Sequence, residues 1–223
     1  MRLSIDNIFY ENNKLGKTLI LRARRSMFDL FMMELKPNSN SKIIDVGISL
    51  KENEVANFLE KNYPWKKNIS CAGLGYKSEF KLIYPVLKYY KIEANKRLPF
   101  TDNQFDIAYS SAVIEHVGGA KERIFYISEM IRISKAIIIT CPNRFFPIEH
   151  HTSLPLLHFS PYLFRKLLQH TWLRRWANPK LLDFIGKKNL LREWPEINKP
   201  KLIYCGLKFG IFSSNIALIY RKN

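Results

Sequence analysis

Cysteine is scarce in this chain of 223 residues, and Cys71, Cys141 and Cys205 stand far apart with no CxxC spacing. That excludes a disulfide framework and suggests no zinc site, so the thiols are expected to be reduced and packed as small apolar groups. Long apolar runs are also missing. The longest uncharged one, Ala136 to Cys141, is far too short to cross a bilayer, and Met1 to Lys17 lacks the apolar core of a signal peptide. A cytoplasmic location is therefore expected, with peripheral contact at the inner membrane face as an option. Acidic residues are few: 19 Asp and Glu against 36 Lys and Arg give a formal charge of +17. Such a balance attracts polyanions, whether nucleic acid, anionic lipid headgroups or phosphorylated substrates, without choosing among them. An apolar fraction of 47% with 13% aromatics excludes general disorder, and the length suits one domain.

What is present alternates between strand and helix patterns. Residues 14–36 carry Leu15, Leu19, Met27, Phe31 and Leu35 at helical spacing, with Arg22, Arg24 and Arg25 clustered among them. This predicts a core-packing helix, or alternatively a basic amphipathic helix touching a membrane. Lys42 to Val46 is a β-branched strand ending in Asp45 and Gly47, followed by a helix predicted over Glu52–Asn62 with Val55, Phe58 and Leu59 on one face. Strands follow at Ile69–Leu74, Lys88–Ile92 and Phe105–Tyr109. A helix over 121–134 with the stripe Ile124, Ile127 and Ile131 precedes a strand at Ala136–Thr140. Leu202–Leu207 and Asn215–Arg221 complete the pattern as an antiparallel pair. The alternation predicts an α/β chain, with a Rossmann-like, doubly wound, mostly parallel sheet ending in that pair.

The most informative stretch is Leu98 to Gly118, LPFTDNQFDIAYSSAVIEHVG. A buried strand there delivers small polar residues, then Glu115 and His116, to its carboxyl end, where open α/β sheets bind ligands. LPF, a polar turn, FD, a strand and SSxVIEHV together resemble the small class I S-adenosylmethionine-dependent methyltransferases, specifically the type 11 group. The resemblance runs from about Ser41 to about His158. It implies a methyltransferase with S-adenosylmethionine as cofactor and a small-molecule, lipid-linked or glycan acceptor.

Carried over position by position, the resemblance gives Asp45, Gly47 and Ser49 to the cofactor's methionine part, and Gly75 to the ribose. It gives Glu93, Ala94 and Asn95 to the adenine, and sets Ser110, Ser111 and Ala112 beneath the cofactor. Glu115, His116 and His150 fall on the acceptor side as catalytic candidates, with Asn143 and His151 near them. The chain departs from the pattern twice. The glycine-rich loop is reduced to Gly47-Ile48-Ser49-Leu50-Lys51, and Gly75-Tyr76 replace the usual ribose-binding acid, leaving Glu79 as the nearest carboxylate. These departures motivate a second reading, a catalytically degenerate member of the fold kept as a module binding an anionic membrane or a protein partner.

Residues 143–200 are expected to form a lid and basic helical insertion, and residues 1–40 an N-terminal helical extension, within a single domain 1–223. His150 and His151 are adjacent and diverge on any regular element, so no metal is expected from them. Ser160-Pro161 predicts a helix start. From Ser160 to Lys208 eleven basic residues face three acids, with Trp172, Trp176 and Trp194 interleaved. That surface suits solvent or an anionic membrane, whereas nucleic acid is an unlikely partner because no NPPY-type tetrad or nucleophilic cysteine motif accompanies the charge.

Overall fold

The computed structural model describes residues 14–50, 53–196 and 198–222. The expectations resting on residues 1–13, Lys51 and Glu52 lie outside the described residues. The chain begins with helix α1 (Lys14–Leu35) and strand β1 (Ile43–Val46), followed by α2 (Phe58–Asn62), β2 (Ile69–Gly73), α3 (Lys77–Ile83) and β3 (Lys88–Lys91). The second half continues with β4 (Phe105–Ser111), α4 (Ala120–Ile133), β5 (Ser134–Pro142), α5 (Pro161–Leu168) and α6 (Lys187–Arg192), and closes with β6 (Lys201–Phe209) and β7 (Phe212–Arg221).

The seven strands form one sheet in the order β3-β2-β1-β4-β5-β7-β6. The first five are parallel, and β7 runs antiparallel to both β5 and β6. This is the predicted doubly wound architecture. Parallel strands covered on both faces have little room for polar residues, which is why β1 and β2 are buried along their whole length. Neighbouring side chains point to opposite faces. Ile43, Ile107 and Ile138 pack under Met27, Phe31 and Leu35 of α1, whereas Ile44, Ala108 and Ile139 meet Ile127, Met130 and Ile131 of α4.

Helix α1 is thus a core helix, the first of its two predicted readings, although its predicted stripe starts late: Leu15 is 66% exposed. Ile124 of α4 is likewise outside the core, at 38% exposed. The helix predicted over Glu52–Asn62 is shorter than expected. Asn53 accepts from the backbone N–H groups of Val55 and Ala56, which bends that segment into turns, and Asn57 at φ 51° holds off the helix until Phe58. Helix α5 starts as predicted, with the Ser160 hydroxyl accepting from Leu163 N–H and Pro161 in the first turn.

Residues 143–200 are more than a cover. Phe164, Leu168, Leu173, Trp176, Leu182 and Phe184 form a separate apolar cluster. Arg123 of α4 holds this cap down: its guanidinium donates at 2.6 and 2.8 Å to Glu193, at 2.7 Å to Asp183 and at 2.8 Å to the Gly118 carbonyl. The three interleaved tryptophans separate physically. Trp176 is buried in the cap, Trp194 packs edge-on against Tyr220, and Trp172 is 62% exposed. Among the described residues no helix is long and apolar enough to cross a membrane.

Candidate active site

β1 and β4 are neighbours in register, with Asp45 level with Tyr109, so Gly47 and Ser111 leave the sheet side by side at its carboxyl edge. Gly47 sits at φ +106°, and a Cβ built on it would lie 2.3 Å from Val113 Cγ2. Both the backbone and the space therefore demand glycine. The N–H groups of Gly47 and Ile48 both donate to the Ala72 carbonyl, at 2.8 and 3.2 Å, turning the loop across the tip of β2. Asn57 then clamps the loop: its side-chain oxygen accepts from Ser49 N–H at 3.1 Å and its amide donates to the Ser49 carbonyl at 2.8 Å. One asparagine so supplies the fixation that a single remaining glycine cannot.

At the tip of β4 the three small residues have different surroundings. Ser110 is turned toward α4, where its hydroxyl meets Tyr126 Oη at 2.7 Å, and Tyr126 in turn donates to the Val46 carbonyl at 3.1 Å. It braces the two strand ends. Ser111 Oγ accepts from Thr140 at 2.9 Å and from Arg24 of α1 at 2.6 Å. Ala112 holds φ 57°, a left-handed conformation for a residue with a Cβ, and so swings the chain off the rim toward Glu115.

Asp45 is buried beside Glu60 of α2. Burial first, and then the Glu60 charge, push the Asp45 carboxyl well above its usual range, with Arg24 pulling the other way. Burial raises Glu60 as well, while Cys71 Sγ donates to its Oε1 at 3.7 Å. Two carboxyls this close in a dry site retain a proton between them. Arg24 is therefore a rim cation facing both Asp45 and Ser111.

Farther along the edge, Leu50 stands over Gly75, its Cδ1 1.9 Å from a built Cβ, and Tyr89 donates to the Gly75 carbonyl at 2.9 Å. Glu79, in the first turn of α3, is close enough to help raise the Tyr89 phenol, which burial raises most. Glu93, Ala94 and Asn95 follow β3 on the same edge and are exposed. Glu93 pairs with Lys96 at 2.6 Å and Asn95 turns at φ 57°.

Beyond Ala112 the cap closes over Glu115 and His116. His116 Nδ1 donates to the Leu181 carbonyl at 2.6 Å, and its Nε2 lies 3.3 Å from Nε2 of His151. His151 Nδ1 in turn meets Glu149 at 2.9 Å. Burial pushes the Glu115 carboxyl up to about 7 and the His116 imidazolium down to about 4. Burial also depresses His151, but the Glu149 carboxylate more than offsets it. His150 is not the partner of His116. It packs against Phe146, and burial lowers it to about 4. Asn143 is buried and structural, its amide donating to the Ser213 carbonyl at 2.9 Å. A void of about 20 Å³ lies between Glu115, Asn143, His150 and His151.

Of the residues singled out in the sequence, the structure gathers Asp45, Gly47, Ser49, Ser111 and Ala112 at one rim. Glu115 and His116 lie beyond Ala112 beneath the cap. Glu93, Ala94 and Asn95 are not brought into this cluster. Arg24, Asn57 and Glu149 are the additions, and His151, expected on the acceptor side, is the residue that meets His116. Arg24 was marked in the sequence only as one of three clustered arginines of its helix.

Comparison with known proteins agrees with this geometry. Residues 47–136 match the family described as methyltransferase domain. An uncharacterized protein of Mycobacterium tuberculosis, found in strains H37Rv and CDC 1551, is 30% identical over 70 residues, covering 31% of this chain and 24% of its own length. Among solved structures, a SAM-dependent methyltransferase of Thermotoga maritima described as a possible histamine N-methyltransferase superposes with TM-score 0.62 at 14% identity, covering 100% of both chains. A SAM-dependent methyltransferase of Aquifex aeolicus gives 0.53 at 13% identity, covering 98% of each. PigF, solved with SAH, gives 0.57 at 11% identity over 93% of this chain and 57% of its own. The chain has the fold of the class I S-adenosylmethionine-dependent methyltransferases, with the methyltransferase family signature over residues 47–136.

Proposed function

We propose that this protein is an S-adenosylmethionine-dependent methyltransferase whose acceptor enters between the β1–β4 rim and the cap. The observation that carries the reading is the juxtaposition of Gly47 and Ser111 on adjacent strand tips, with Arg24 and the Asp45–Glu60 pair beneath and His116 beyond.

The residues present fit the cofactor. Gly47 and Gly75 are places where the rim has no Cβ to keep a ligand away, and Val113 and Leu50, the side chains now resting there, would have to shift to admit one. Arg24 suits a carboxylate, and the Asp45–Glu60 pair, on losing its shared proton, suits an ammonium. When bound, the sulfonium supplies an electrophilic methyl group, so the protein need not create one.

The remaining tasks fall to this chain. The rim fixes one reactant, the cap excludes water, and alignment of the acceptor supplies most of the rate enhancement. His116, held neutral by burial and oriented by the Leu181 carbonyl, turns an unprotonated Nε2 toward His151 beneath the cap, on the side where the acceptor enters. An acceptor with an ionisable oxygen or nitrogen suits that arrangement. The cap also exposes Tyr162, Leu163, Leu167 and Trp172 near Arg165, Lys166 and Arg174, which favours a lipid-linked acceptor met at an anionic membrane over a small soluble one or a free glycan.

Titration calorimetry with S-adenosylmethionine is the direct test. Saturable binding that weakens in Asp45→Ala supports the reading. No heat at millimolar ligand with demonstrably folded protein removes it, and vesicle binding under those same conditions would favour the module reading instead.

A further inference from the structure

We propose that Glu115, His116 and His151 form a binding site for one divalent first-row transition ion. The argument starts from tautomers. A carbonyl oxygen only accepts, so the 2.6 Å contact between His116 Nδ1 and Leu181 O places the proton on Nδ1. Glu149 already accepts from the backbone N–H of His151 at 2.9 Å, and from the N–H and hydroxyl of Thr152 at 2.6 and 2.7 Å. It is therefore a carboxylate, and its 2.9 Å contact with His151 Nδ1 places a proton there too. With no second proton on either ring, each imidazole is left with its lone pair on Nε2, and those two atoms face each other at 3.3 Å.

Two lone pairs do not hold that distance without positive charge between them. A shared proton would satisfy the two nitrogens but would leave Glu115 as it is: 3% exposed, with neither carboxylate oxygen hydrogen-bonded among the described residues, and Oε1 4.0 Å from His116 Nε2. A cation satisfies all three groups. Their ligand atoms lie within 4.8 Å of one another, and a tetrahedral ion with bonds of about 2.0–2.1 Å sets neighbouring nitrogens roughly 3.3–3.4 Å apart, close to the observed spacing. The supporting hydrogen bonds match as well. A ligating histidine ordinarily donates its other N–H to a carbonyl or carboxylate, as His116 does to Leu181 and His151 does to Glu149.

Two imidazoles and one carboxylate suit Zn²⁺ well and leave a coordination position open. The void of about 20 Å³ bordered by Glu115 and His151 gives that position room for one oxygen ligand. The adjacent histidines argued against a metal in the sequence, and they do not chelate together here. His151 reaches back across the cap to His116, on a different element, while His150 points elsewhere. On the methyltransferase reading, on which this last step rests, the open position would take an acceptor oxygen and ease loss of its proton.

The test uses the full chain, treated with chelator, dialysed and checked for folding by circular dichroism. Titration with Zn²⁺ is expected to show one equivalent bound and a raised melting temperature, and Co²⁺ to give the visible bands of a tetrahedral nitrogen and oxygen site without thiolate charge transfer. Glu115→Gln and His116→Ala should each weaken binding by about 100-fold or more, and Glu149→Gln, which only positions His151, by about 10- to 100-fold. His170→Ala, at an exposed histidine of the cap, should leave affinity unchanged. Absence of Zn²⁺ heat and Co²⁺ bands in folded wild-type protein overturns the proposal, as does affinity unaltered in both Glu115→Gln and His116→Ala. S-adenosylmethionine binding is measured in parallel. Metal uptake without cofactor uptake would sink the methyltransferase reading alone, and cofactor uptake without metal would sink the metal site alone.

Discussion

Replacing Gly47 by alanine adds one methyl group, and the structure says where it goes. The new Cβ would sit 2.3 Å from Val113 Cγ2 and 2.9 Å from Val113 Cγ1, on a backbone at φ +106° that side chains rarely adopt. The conformational part costs about 1–3 kcal/mol, and the overpacking part about 1–3 kcal/mol. Gly47→Ala should therefore lose about 2–6 kcal/mol, which for a chain of this size lowers the melting temperature by roughly 4–24 °C. The two parts separate in a double-mutant cycle with Val113→Ala, since removing the valine methyls relieves the clash and leaves the strained φ. Urea denaturation followed by circular dichroism measures all four corners. The double variant should recover the steric share only, so the two substitutions are non-additive by about 1–3 kcal/mol. A Gly47→Ala midpoint equal to wild type, or strict additivity in the cycle, would refute the close approach of Val113 to Gly47 and with it the rim geometry.

Arg24→Gln removes the rim cation that donates to Ser111. On the proposed function, the loss of a charge-assisted bond of about 1.5–3 kcal/mol weakens S-adenosylmethionine binding by roughly 10- to 150-fold, read by calorimetry. Glu193→Ala takes the two-bond partner from the buried Arg123 guanidinium and leaves it only Asp183 and the Gly118 carbonyl, which should cost about 1.5–3 kcal/mol in urea denaturation, while the pair Arg123→Met with Glu193→Leu should cost less. Because burial and Glu60 raise the Asp45 carboxyl, the folded chain keeps a proton that the unfolded chain releases, so this stability is present below the ordinary value of 3.8 and is lost as pH climbs toward the raised folded value. Asp45→Asn should accordingly gain on wild type with rising pH, by up to about 1.4 kcal/mol per pH unit, and a pH-independent difference between the two would contradict the shared proton.

The inner parallel strands were legible because a strand buried on both faces needs an unbroken apolar, β-branched run, and such runs are rare by accident. Ile43-Ile44 and Ile137-Ile138-Ile139 are of this kind, and the structure extends β5 beyond the predicted Ala136–Thr140 at both ends. Helix faces were harder to place. Leu15 and Ile124 keep the right spacing yet lie beyond the sheet's reach, and periodicity cannot say where the covered surface ends. The segment before Phe58 failed for a local reason, since Asn53 and Asn57 side chains compete for the backbone groups a helix would use.

The site divided along a different line. Gly47, Ser111, Ala112, Glu115 and His116 could be found because each belongs to a strand end, and the alternation of strand and helix already implies that such ends share a rim. Arg24 could not, nor could the pairing of His151 with His116, because each rests on a long-range contact: Arg24 with Ser111 at 2.6 Å, and His151 with His116 at 3.3 Å. Nothing local marks them. A basic residue within an apolar helix normally turns to solvent, and paired histidines normally diverge. Arg22 does turn to solvent and the two histidines do diverge, and it is that divergence which leaves His151 facing His116. What decides is the direction of the side chain once the sheet has fixed the backbone, so these residues contribute to the site as consequences of the fold rather than as a pattern of their own.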